Sequence, residues 1–213
     1  MRLAHSLRGP DDAEVVVLSC ALGTTQEMWS RQLPSLSERY CVLTYDQPGH
    51  GGSDLPGGHP TVEAFADGVI ALLDELEVER VSFCGVSLGG MVGMALALRR
   101  PPRVERLVLA CTSAYLGPPE QWLDRARRVR AQGTEVLADA VVGRWFTETF
   151  VREEPEAVAR FRSLLVDAPR EGYAACCEAI AAWDARTAIS EITAPTLVVA
   201  GAQDPATTVE DAE

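Results

Sequence analysis

The sequence predicts an α/β domain with a mainly parallel sheet, flanked by helices and carrying a helical insertion. Five short, almost wholly apolar runs recur along the 213 residues, and stretches long enough for crossover helices separate the first four. Between about residues 118 and 192 the strand signal stops while helix-spaced apolar residues continue. Continuous apolarity marks strands covered on both faces, as in parallel sheets. Alternation of strand and helix then selects the α/β class.

In chain order the strand candidates are VVVLS (15–19), CVLTY (41–45), RVSFC (80–84), RLVLAC (106–111) and TLVVAG (196–201), each bounded by turn formers. Between the second and third, TVEAFADGVIALLDELEV places Phe65, Val69, Leu72, Leu73 and Leu76 on one helical face. Another helix is expected from Leu88 through MVGMALALRR until Pro101 and Pro102 stop it. Beyond residue 118, apolar sets at Trp122-Ala126-Val129, Val158-Phe161-Leu165 and Tyr173-Cys177-Ile180 predict an all-helical cap. The expected organisation is a core over 1–117, a cap over 118–192, and a return to the core over 193–213 with one strand and its loop.

Composition excludes several function classes. An apolar share of 47% and a charged share of 23% are those of an ordinary globular protein. A net charge of −12 argues against nucleic acid and anionic membrane surfaces as partners. No stretch suits a signal peptide or spans a bilayer. The six cysteines form neither a CxxC pair nor a disulfide scaffold, so a reduced, cytoplasmic protein is expected. No metal-ligand cluster is apparent, and no cofactor is expected.

The chemistry-bearing stretch is Gly85-Val86-Ser87-Leu88-Gly89, between a predicted strand and a predicted helix. A strand running straight into a helix through Gly-x-Ser-x-Gly strains the serine and exposes its hydroxyl at the helix start. There the helix dipole and free N–H groups favour developing negative charge. Ser87 is therefore the candidate nucleophile; the other reading is a structural turn serine. Acyl transfer also needs oxyanion donors. The backbone N–H of Leu88 is one, and SCALGTT (19–25), after the first strand, offers the N–H of Leu22, with Gly23 permitting close approach. The acid is expected after a later strand, where AGAQDP holds Asp204, 117 residues beyond Ser87.

On these residues the chain resembles an α/β-hydrolase, and more narrowly the 3-oxoadipate enol-lactonases. The segments carrying the resemblance are LSCALGTTQEMW (18–29), YDQPGHGGSD (45–54), FCGVSLGGM (83–91), GRWFTETF (143–150), YAACCEAI (173–180) and PTLVVAGAQDPAT (195–207). One departure is Cys20-Ala21, where that group usually carries Asn-Ser. The resemblance implies hydrolysis of a carboxylated lactone in aromatic-compound breakdown, giving 3-oxoadipate. A cation should then meet the substrate carboxylate, and Arg144 beside Trp145 in the cap is the first candidate. Arg125, Arg127, Arg128 and Arg130 read as a solvated helix face.

The resemblance also implies a histidine base on a loop after one further strand. The three histidines here are His5, His50 and His59, all before residue 60. His50, in PGHGGSD, reads as a loop residue rather than a base. The final strand, its histidine and the closing helix are thus expected beyond Glu213, with TLVVAG left as an exposed edge that invites self-association. A general carboxylesterase or cofactor-free perhydrolase would use the same elbow. A ligand-binding module without its base is the alternative of another class. Epoxide hydrolase and dehalogenase chemistry is disfavoured because residue 87 is Ser, not Asp.

Overall fold

A computed structural model describes residues 1–213. Its six-stranded sheet has the order β1-β3-β2-β4-β5-β6. The strands are β1 (His5–Arg8), β2 (Val15–Ser19), β3 (Cys41–Tyr45), β4 (Val81–Val86), β5 (Val104–Ala110) and β6 (Thr196–Val199). All five expected runs form strands, and β2 through β6 run parallel. The addition is β1, which pairs antiparallel with β3 at the edge. Its sequence, HSLR, is polar and mostly exposed, so hydropathy carries no strand signal for it.

The predicted crossover helices are α2 (Val62–Glu75) and α3 (Leu88–Arg99); the earlier α1 (Leu33–Leu36) is a single turn. The Thr61 hydroxyl caps α2 by accepting from the Ala64 N–H at 3.1 Å. The α2 face buries Phe65, Val69, Leu72 and Leu73, while Leu76 packs half-buried against the same core. α3 is buried almost all round and runs through the middle of the domain.

Between β5 and β6 lie five helices: α4 (Pro119–Gln132), α5 (Glu135–Val142), α6 (Glu148–Glu153), α7 (Pro155–Val166) and α8 (Arg170–Ala182). Their apolar residues join those of the sheet in one continuous cluster, so these helices have no core of their own. Gly49, after β3, and Gly172, in α8, bring two backbones into direct contact that a side chain on either would block. A final turn, α9 (Val209–Ala212), follows β6. The six cysteines are all free thiols. No helix is long and apolar enough to cross a membrane.

Candidate active site

Ser87 sits between β4 and α3 with φ +55° and ψ −118°. That conformation is sparsely populated for a residue with a Cβ and costs on the order of 1–3 kcal/mol. Neighbouring hydrogen bonds hold it there. Its N–H donates to the Ala110 carbonyl at 3.0 Å, while its own carbonyl accepts from Gly90 N–H at 2.8 Å and Met91 N–H at 3.1 Å. The Thr112 hydroxyl adds a third donor to that carbonyl at 2.7 Å. The turn closes only because residue 85 lacks a side chain: a Cβ there would strike the Gly89 carbonyl.

A Cβ on Gly89 would likewise strike the backbone of Ser19, the last residue of β2. The start of α3 therefore lies against the loop that follows β2, which brings Leu88 and Leu22 to the same sheet edge. The Leu88 N–H is in the first turn of α3, where no intrahelical acceptor exists. In the other loop Ala21 N–H points at Met28 Sδ (3.4 Å), Gly23 N–H at His50 Nε2 (3.1 Å) and Thr24 N–H at the Ala21 carbonyl (3.2 Å). The Leu22 N–H takes part in none of the loop hydrogen bonds.

His50 shapes this loop. Its ring is 1% exposed, with Nδ1 donating to the Pro48 carbonyl at 3.2 Å and Nε2 accepting from Gly23. Burial pushes the imidazole below its ordinary pKa, outweighing the Pro48 hydrogen bond and the Asp46 charge. With both nitrogens engaged, His50 has no lone pair to offer Ser87. His5 Nδ1 contacts the Leu3 carbonyl at 3.0 Å on the sheet's far strand, and His59 lies exposed before α2. None of the three hydrogen-bonds Ser87.

Asp204 follows β6 on the carboxyl side of the parallel strands. Its Oδ1 accepts from Ala206 N–H (2.8 Å) and Thr207 N–H (3.1 Å), and Oδ2 from the Thr207 hydroxyl (2.7 Å). Partial burial raises its pKa, but the Thr207 and Ala206 N–H groups, the Thr207 hydroxyl and the Cys111 thiol outweigh burial and hold it below the ordinary carboxylate value. Cys111 directly follows β5 at φ +44° and donates its N–H to the Val199 carbonyl at 2.8 Å. Backbone contacts thus run from Ser87 through Ala110 and Cys111 to the strand before Asp204.

The two cap residues lie apart from one another in environment. Trp145 is half-buried, edge-on to Phe161 at 6.3 Å and packed against the main core. Arg144 is exposed and lines a groove of about 390 Å³ between α4 and α5, which Ser87 does not line. Arg125 lines it too, half-buried, its guanidinium 4.4 Å over the Trp122 ring. The expected solvated face thus divides. Arg127 is exposed against Asp124 at 3.2 Å, but Arg130 is half-buried between Glu171 (3.0 Å) and Glu178 (2.5 Å). Arg125 and Arg144 place positive charge near the buried Tyr173 hydroxyl, though burial dominates and raises that phenol's pKa. Tyr173 in turn packs over Gly23. In the sequence Tyr173 belongs to an apolar stripe and to the YAACCEAI segment, with no site role of its own.

Residues 14–213 match the family described as alpha/beta hydrolase fold. The chain is similar to 3-oxoadipate enol-lactonase 2 of Acinetobacter baylyi, with 40% identity over 211 residues covering 99% of this chain and 79% of that protein. The crystal structure of the enol-lactonase from Burkholderia xenovorans LB400 superposes with a TM-score of 0.95 at 42% identity, covering 98% of this chain and 81% of the other. A malate-bound thermophilic esterase from Thermogutta terrifontis superposes at 0.93 with 29% identity, covering 98% and 78%. By the elbow geometry, the strand order and these matches, the chain belongs to the α/β-hydrolase family.

Proposed function

We propose that the chain carries the site of a serine hydrolase for a carboxylated lactone, 3-oxoadipate enol-lactone being the first substrate to test. The observation carrying the reading is the strained Ser87 at the head of α3, beside two backbone N–H groups with no partner in the loops. Ser87 Oγ would attack the ring carbonyl, its proton passing to the imidazole that the resemblance implies; the ring C–O bond then breaks, the enol oxygen takes that proton, and water cleaves the acyl-enzyme. The Leu22 and Leu88 N–H groups would hold the oxyanion. Asp204, kept ionised by its hydrogen bonds, would orient an imidazole and stabilise its charged form. Arg144 and Trp145 are assigned to the substrate side, the arginine to its carboxylate. The enol-lactone substrate is supported by the likeness to the two enol-lactonases.

A second reading has one specific observation behind it: none of the three histidines hydrogen-bonds Ser87. The 213-residue chain by itself would then bind such esters and turn them over slowly. Hydrolysis of 3-oxoadipate enol-lactone beside simple esters and a Ser87→Ala control tests both readings. Lactone-selective, Ser87-dependent turnover supports the first. Saturable binding with turnover restored by added imidazole supports the second. Turnover that survives Ser87→Ala overturns the site.

A further inference from the structure

We infer that the groove between α4 and α5 is a binding site for a small aliphatic dicarboxylate. The nineteen cationic residues of this acidic chain are all arginines. Eleven of them pair with carboxylates within 4 Å. Arg125, Arg128 and Arg144 are not among those eleven, yet all three line this one groove. The groove's single carboxylate, Asp124, is engaged by Arg127 at 3.2 Å. On a surface of net charge −12, that leaves a local excess of positive charge where the rest of the molecule repels anions.

The lining also selects the kind of anion. Arg125 and Arg128 come from α4 and Arg144 from the turn just after α5, with Leu137 and Val141 of α5 supplying apolar surface. Guanidinium groups on two walls suit two planar carboxylates, each able to accept paired N–H bonds. The apolar residues suit a short methylene chain, which inorganic phosphate lacks. A nucleotide base would need an open aromatic face, and the one nearby, Trp122, is covered by Arg125. A volume of about 390 Å³ is at the small end of ligand sites, right for a molecule of this size.

The inference does not depend on hydrolysis, so it is tested by calorimetric titration of adipate into the Ser87→Ala protein. Arg144 is shared with the Ser87 reading, but Arg128 is not, and failure of adipate binding would leave the Ser87 nucleophile and its oxyanion donors intact. Adipate is expected to bind about tenfold more tightly than butyrate or inorganic phosphate, and more weakly as salt rises. Arg128→Gln and Arg144→Gln, both at exposed positions, should each weaken adipate about fivefold with unchanged circular dichroism. Asp124→Asn, which removes the groove's only negative charge, should tighten it. No adipate binding at about 10 mM overturns the inference, as does binding unmoved by these variants or phosphate binding as tight as adipate.

Discussion

Replacing His50 by alanine separates a structural imidazole from a catalytic one. The substitution removes the acceptor of the Gly23 N–H and the donor to the Pro48 carbonyl, both in buried surroundings. An N–H left unsatisfied costs about 1–3 kcal/mol. The vacated space, bordered by Cys176 Sγ 4.0 Å from Nδ1 and by the Tyr173 ring at 6.5 Å, adds a cavity cost of about 2 kcal/mol. Together, about 3–5 kcal/mol should disappear from the urea unfolding free energy at neutral pH, a large share of a typical domain's stability. The pH dependence supplies a second readout. Burial lowers the folded imidazole's pKa, so below about 6.5 the unfolded chain takes up a proton that the folded chain refuses. The contribution is complete above that pH and is lost as pH falls towards the folded value, with a slope of at most about 1.4 kcal/mol per unit. His50→Gln keeps a donor and an acceptor without titrating and should flatten that slope. A loss below about 0.5 kcal/mol in the alanine variant, or an unchanged slope in the glutamine variant, would refute the structural role. Abolished fluorophosphonate labelling of Ser87 in a fully folded His50→Gln chain would point to His50 as the base instead.

Other outcomes follow from single contacts. A Cβ at Gly90 would meet Thr112 Cγ2 at 2.6 Å and push that side chain off the Ser87 carbonyl. Gly90→Ala should therefore cost about 2–4 kcal/mol in thermal unfolding and slow Ser87 labelling. Asp204→Ala frees two N–H groups and a hydroxyl, and should speed hydrogen exchange at Ala206 and Thr207 without altering exchange in β2 or β4. The outer strand β6 pairs only with β5, and Leu197 is 59% exposed. Sedimentation should show self-association that Val198→Lys suppresses while stability changes by less than about 0.5 kcal/mol. A monomer at all concentrations would remove the edge-pairing idea.

What the sequence alone determined is local in origin. The runs of β2 to β5 read as strands because burial on both faces demands unbroken apolarity, whereas β6 carries the same apolar run with its residues exposed; α2 and α3 read as helices from their spacing and end signals. Ser87 was legible for the same reason: the strand-to-helix turn and its glycines are contiguous in the chain. Asp204 could be placed after a strand, although the Thr207 and Cys111 contacts that lower its pKa could not be read. What only the tertiary structure decided depends on residues distant in sequence. β1 forms because β3 offers an edge, not because HSLR favours extension. His50 looked like a loop residue until the fold set Gly23, twenty-seven positions earlier, against its Nε2. Arg125 looked like its neighbours on a solvated helix, yet packing of α4 against α8 turns it over Trp122 and towards Tyr173. A charged side chain's partners are set by which surfaces meet, and hydropathy spacing records only which face is buried.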